Sequence, residues 1–261
     1  MSQSLNDPMA QSPHEGFAYY LSYLRSLVFT NLLIYLYTMV CGTFSIMGSF
    51  FDSQGRWQHF WARTWSWLIL KSSGIRVRVE GLENARLNET AIYCVNHPSA
   101  MDIPILFVNL PVQFRFVAKR ELFNWPFLGW HLRRSGHIAV DRGRPRGGMK
   151  SLDDAAEKVR SGVSVVMFPE GTRSRTSDLL PFRGGTFYLA ILSGVPVVPI
   201  TLNGTRYVHE PDRYHVRAGQ TEMIVHPAIP TAGLTKDDVN KLSAQVREAI
   251  VSRLRPLAGR K

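Results

Sequence analysis

The stretch TAIYCVNHPSAMDIPILFV, Thr90–Val108, changes character between Val95 and Ser99, and that change decides the fold. Its first six residues are mostly apolar and partly β-branched, the composition of a short buried strand. Pro98 disfavours the α conformation at His97, Pro98 or Ser99 can open a helix, and the apolar run from Met101 to Val108 suits one. The reading is strand, turn, helix, with His97 at the strand end, where α/β sheets usually hold their ligands. His97 and Asp102 lie five positions apart, about 140° around a straight helix, and would not face each other on one. With His97 bent off the helix start, its imidazole can fold back on the Asp102 carboxylate. That contact would fix the ring tautomer and support the imidazolium as His97 takes a proton. Ser99 and Asp102 equally match the S-x-x-D capping pattern, in which Asp102 only satisfies backbone N–H groups at a helix start. Both readings stand at this point.

Working outward, the same alternation continues from Ile75 to the end of the chain. Strands are expected at Ile75–Val79, Thr90–Val95, Phe114–Ala118, His137–Val140, Val163–Phe168, Val195–Leu202 and Met223–His226. Helices are expected at Met101–Val108, Glu121–Leu132, Met149–Arg160, Thr186–Ser193 and Asp237–Leu254, the last opened by a TKDD capping box. The fold class is therefore α/β: a mixed β-sheet covered by helices in one domain, residues 75–261.

Residues 1–74 differ. From Ser26 to Phe51 the chain runs 26 residues without a charge, more than the ~20 that cross a bilayer. Arg56–Gly74 holds four tryptophans, which favour the membrane interface, but it is too short and too charged to span. The region reads as a spanning helix followed by an interfacial one, or as a helical hairpin dipping into one leaflet, with Asp52–Gly55 as the turn. A buried core hairpin is the bland alternative. If the first helix spans, Arg56, Arg63, Lys71, Arg76 and Arg78 place the C-terminal side in the cytoplasm, on the inner face of the cell membrane.

The net charge is +11, from 31 Lys+Arg against 20 Asp+Glu, which calls for an anionic partner: a membrane surface, a phosphate ligand or nucleic acid. Nucleic acid is the poorest of these, because the charge is scattered and no recognised motif accompanies it. Cys41 and Cys94 form no C-x-x-C and no metal spacing; Cys94, inside an apolar strand, reads as inert core and not as a nucleophile partnered by His97.

Three more stretches end strands or start helices on what could be the edge that carries His97. SGHIAVDRG places Arg142 just past a strand. VVMFPEGTRSR runs a strand into Glu170, Gly171, Thr172 and Arg173, able to offer backbone N–H groups and a guanidinium fork to a phosphate. PFRGGTFYLA puts Arg183 before a helix start that could attract an anion.

NHPSAMD, followed some 70 residues later by FPEGTRS, resembles the signature of the glycerolipid acyltransferases, specifically the 1-acyl-sn-glycerol-3-phosphate acyltransferases. KREL (Lys119–Leu122), GHIAVDR (Gly136–Arg142) and VPVVPI (Val195–Ile200) resemble further blocks of that family, in family order, so the resemblance spans roughly Gly81–Pro227. One departure is Ala139, where the family commonly carries a bulky aromatic residue. The resemblance implies acyl transfer from acyl-CoA or acyl carrier protein to the free sn-2 hydroxyl of lysophosphatidic acid, giving phosphatidic acid, with a membrane bilayer as partner and no cofactor. It implies His97 as general base and Asp102 as its orienter. It implies Arg142, Glu170, Gly171, Thr172, Arg173 and Arg183 around the acceptor, and leaves open whether Glu170 orients an arginine or bonds the glycerol. A different lyso-lipid acceptor, such as a lyso-ornithine lipid, is the nearest alternative. A metal-dependent phosphatase and a non-catalytic anionic-lipid-binding module are the rivals from other classes.

Overall fold

The structure is a computed structural model that describes residues 16–140, 145–174 and 178–255, with the main chain alone described over 145–150. Its sheet has seven strands: β1 (Ile75–Glu80), β2 (Ile92–Val95), β3 (Phe114–Lys119), β4 (Ile138–Val140), β5 (Ser164–Met167), β6 (Val197–Asn203) and β7 (Gly219–Val225). They lie in the order β1-β7-β6-β2-β5-β3-β4. All neighbours pair in parallel except β6 and β7, so β2, β3, β4, β5 and β6 end on one edge. β2 is central and fully buried, as its unbroken apolar run demands. Tyr93 and Val95 enter one core layer, with residues of α3 (Arg56–Ser73) and α4 (Asp102–Asn109). Ile92 and Cys94 enter the other, with residues of α6 (Pro145–Arg160), α7 (Gly185–Ser193) and α9 (Val239–Ser252). Cys94 is wholly buried, which pushes its thiol up, so the inert reading holds.

The N-terminal region is one continuous helix, Phe17–Gly48, followed by α3. It comprises α1 (Phe17–Arg25), a π turn over Ser26–Thr30 and α2 (Asn31–Gly48). Only 11% of its most apolar window is buried, and it is long and apolar enough to cross a membrane. Leu21, Leu24, Phe29, Leu32 and Leu36 face outward, so the bland core-hairpin reading does not describe it. α3 packs against α2 and α4 and contributes Ala62, Ile69 and Leu70 to the main core. Asp52 accepts the N–H groups of Gln54 and Trp57 and shapes the turn between the helices. The π turn meets the loop before β7: Ser26 Oγ–H donates to the Tyr214 carbonyl at 3.1 Å and Ser26 Oγ accepts the Val216 N–H at 2.8 Å.

Three expected elements depart from their limits by more than two residues. The helix expected over Glu121–Leu132 is split into a 3₁₀ turn, Arg120–Asn124, and α5, Leu128–Arg134. Pro126 holds Trp125 extended and Phe127 turns the chain with φ 62, which no helix interior accommodates. α6 begins at Pro145, four residues early, with the proline at the helix start. β7 begins at Gly219, where β1 supplies a parallel partner for four residues, Gly219–Glu222, that carry no apolar side chain. The TKDD box is present, with Thr235 and Asp238 capping reciprocally.

Candidate active site

His97 lies two residues beyond β2 and Asp102 at the first position of α4. His97 Nδ1 donates to Asp102 Oδ2 at 2.8 Å, since an ionised carboxylate can only accept. The same oxygen accepts the Ser99 N–H at 2.9 Å, and Ser99 Oγ accepts the Met101 N–H at 3.2 Å. One buried carboxylate thus takes both the imidazole and the main chain of the turn before α4, whose own start carries no side-chain cap. Nε2 remains for another partner, on a side chain still 15% exposed. The Phe168 ring lies parallel to the imidazole, centroids 3.8 Å apart and 15° between planes. That fixes the ring's second degree of freedom, as the Asp102 contact fixes its first.

Glu170 is 3% exposed, and both its carboxylate oxygens serve the main chain. Oε1 accepts the His97 N–H at 2.7 Å and Oε2 accepts the Leu180 N–H at 2.9 Å. Burial pushes its carboxyl above the usual carboxylate range, and the two N–H donors act against that. The carboxylate whose role the sequence left open therefore ties the turn after β2 to the loop after β5. Two main-chain bonds complete the link: Ser174 N–H to the His97 carbonyl at 3.2 Å, and Arg183 N–H to the Pro169 carbonyl at 2.8 Å.

Gly171 has φ +75, and a Cβ there would meet Arg183 Nε at 2.6 Å, so glycine is required for the Arg183 side chain to cross the loop. Thr172 is exposed beside it, and Arg173 pairs with Asp212 at 3.5 Å. Phe168, Gly171, Arg183 and Thr186 line an open cleft together with Val117, Val140 and Met167. His97, Asp102, Glu170, Gly171 and Arg183 come together as the sequence suggested; Arg173 is on the same loop, and Arg142 falls outside the described residues. Phe168 was not singled out from sequence, although its place one residue after β5 and level with β2 could have shown it. Ser99 was read only as a cap. Its hydroxyl also donates to the His209 carbonyl at 2.8 Å, joining the site to the loop that holds the π turn. Among the described residues no group of three His, Cys, Asp or Glu is arranged to hold a metal ion.

Residues 76–203 match the acyltransferase family model. A 1-acyl-sn-glycerol-3-phosphate acyltransferase from Saccharomyces cerevisiae is 31% identical over 245 residues, 91% of this chain and 79% of that protein. The chain belongs to the acyltransferase family. Within it, a Limnanthes douglasii protein of the same description is 32% identical over 188 residues, 72% of this chain and 66% of that one. The crystal structure of the 1-acyl-sn-glycerophosphate (LPA) acyltransferase PlsC from Thermotoga maritima superposes with a TM-score of 0.78 at 25% identity, over 90% of this chain and 95% of that one. The α/β sheet with its N-terminal helices is thus the fold of a family member. The chain spans 51 to 66% of the length of several curated relatives it matches.

Proposed function

We propose that this acyltransferase moves a fatty acyl group from a thioester donor to the free sn-2 hydroxyl of 1-acylglycerol 3-phosphate, giving phosphatidic acid. The observation that carries the reading is the His97–Asp102 contact at 2.8 Å, held by Glu170 against the loop that carries Gly171 and that Arg183 crosses. Nε2 takes the hydroxyl proton as the oxygen attacks the thioester carbonyl. The C–S bond then breaks, and the imidazolium returns the proton to the leaving thiolate. Asp102 holds the tautomer and supports the positive ring. No covalent enzyme intermediate is needed. Arg173 and Arg183, with Arg142, supply the charge that the acceptor phosphate requires. Residues up to 74 anchor the enzyme where both lipids reside, with the catalytic domain on the cytoplasmic face of the cell membrane.

The acceptor tests this. 1-Monoacylglycerol offers the same hydroxyl and chain without the phosphate. Losing two charge-assisted hydrogen bonds should lower kcat/KM by about 10² to 10⁴ relative to the phosphorylated lipid. Equal use of both acceptors, measured by product mass in detergent, would sink the lysophosphatidate assignment.

A further inference from the structure

β4 is the last strand of the sheet. Val140, at its C-terminal end, lines the cleft that Arg183 borders, while Ile138 and Ala139 line a second open cleft at the outer edge of the sheet. Arg120, Arg133 and Lys158 border this second cleft, against one carboxylate, Asp154. They come from three separate elements, the 3₁₀ turn after β3, α5 and α6. The small side chain of Ala139 opens the cleft where a bulky residue would narrow it. Among the described residues no strand pairs with the outer edge of β4, which leaves main-chain groups there for an extended amide-bearing ligand.

We infer that this cleft seats the phosphate-bearing arm of the acyl donor, a phosphopantetheine thioester. The inference rests on the acyl-transfer reading above, which needs a second, anionic substrate that the Arg183 cleft does not provide for. Reach supports it. β2 and β4 are three strand spacings apart, and extending the ladder puts Ala139 level with Val95, two residues short of His97. At ~4.8 Å between strands and ~3.3 Å per residue, that is roughly 15 Å. The arm has about thirteen chain bonds from sulfur to phosphorus and spans roughly the same distance, because three extended backbone bonds cover ~3.6 Å. An arm that enters along Ala139, with its phosphate on the cations bordering the cleft, would therefore run toward His97.

The test compares donors that differ only in phosphate, using the Arg133→Glu/Lys158→Glu double variant of the full chain. Its KM for acyl-CoA should rise by about tenfold or more, while its KM for acyl-pantetheine, which has no phosphate to lose, should stay at the wild-type value. An equal rise for both donors, or none for acyl-CoA, overturns the inference. Acyl carrier protein as a third donor separates the two sources of the arm: a rise confined to it, with acyl-CoA unused by wild type, names the carrier protein. Binding of free CoA and of holo-acyl carrier protein, read by calorimetry, stands independently of turnover. If wild type binds either and the variant does not, the site holds even should transfer to lysophosphatidate fail. If wild type and variant bind them alike, or wild type binds neither, the site is refuted whatever the activity.

Discussion

His97 and His137 stand on one sheet, three strand spacings apart, and are used in opposite ways. His97 has a carboxylate at 2.8 Å, an aromatic ring on its face and a side chain still 15% exposed. His137 is buried, its Nδ1 accepts the Phe116 N–H at 2.9 Å, and its charged or chargeable neighbours are His131, Arg115 and His59. Burial, reinforced by those basic neighbours, holds its imidazole well below the ordinary range. His131, in α5, is likewise pushed by burial down to about 4, while a ring nitrogen meets Ser45 of α2 at 3.1 Å. One histidine faces a carboxylate on a partly exposed ring; the others are held neutral by burial. The partners decide, not the residue type.

The sharpest way to break the comparison is to delete each ring. His97→Ala should lower kcat by about 10² to 10⁴ and leave the unfolding midpoint near wild type. His137→Ala should do the reverse, costing roughly 2–4 kcal/mol of stability through a cavity and an orphaned Phe116 N–H. Denaturant titration and steady-state rates on both variants check the pair. Retention of more than about a tenth of kcat by His97→Ala would remove it from catalysis.

Acid should sharpen the contrast. Below the ordinary histidine value of ~6.5 the unfolded chain takes up protons that His131 and His137 refuse when folded. Their burial therefore lowers stability progressively as pH falls from about 6.5 towards 4, by on the order of 2–3 kcal/mol for His131, with His137 adding in the same direction. Thermal unfolding from pH 7 to 4.5 should show this loss, and replacing His131 by Gln should flatten it. An unchanged slope would mean that the cluster is not what titrates. The smallest effect belongs to Phe168→Leu, which keeps the apolar contact and loses the stack. A fall of about two- to tenfold in kcat at constant KM is expected, and an unchanged kcat would reduce the ring to packing.

Much of this was legible in the sequence, and particular residues show why. Local rules placed His97: Pro98 bends it off the helix, and the apolar run before it makes a strand, so the turn follows without tertiary information. Asp102 was legible as either cap or orienter; its one oxygen takes His97 Nδ1 and the Ser99 N–H of the turn before α4, and not an N–H of the helix start. Glu170 was not legible in its role. Its partners are the N–H groups of His97 and Leu180, and the contact with His97 exists only because β2 and β5 are neighbours in the sheet. Phe168 was missed for the same reason. The split of the expected Glu121–Leu132 helix could have been read from Pro126, where helical periodicity was allowed to outweigh a residue that forbids it. The polar start of β7 could not, since only β1 makes it a strand.

The central claim is that Asp102 serves the imidazolium and not merely the helix start, and Asp102→Asn tests it most directly. Asparagine can still accept the Ser99 N–H, so the unfolding midpoint should move little, but a neutral amide cannot support a charged ring. The measurement is kcat with 1-acylglycerol 3-phosphate, alongside thermal unfolding of the same preparation. A folded variant slowed by about 10² or more is the predicted result; a folded variant within about threefold of wild type would contradict the account and return Asp102 to a cap.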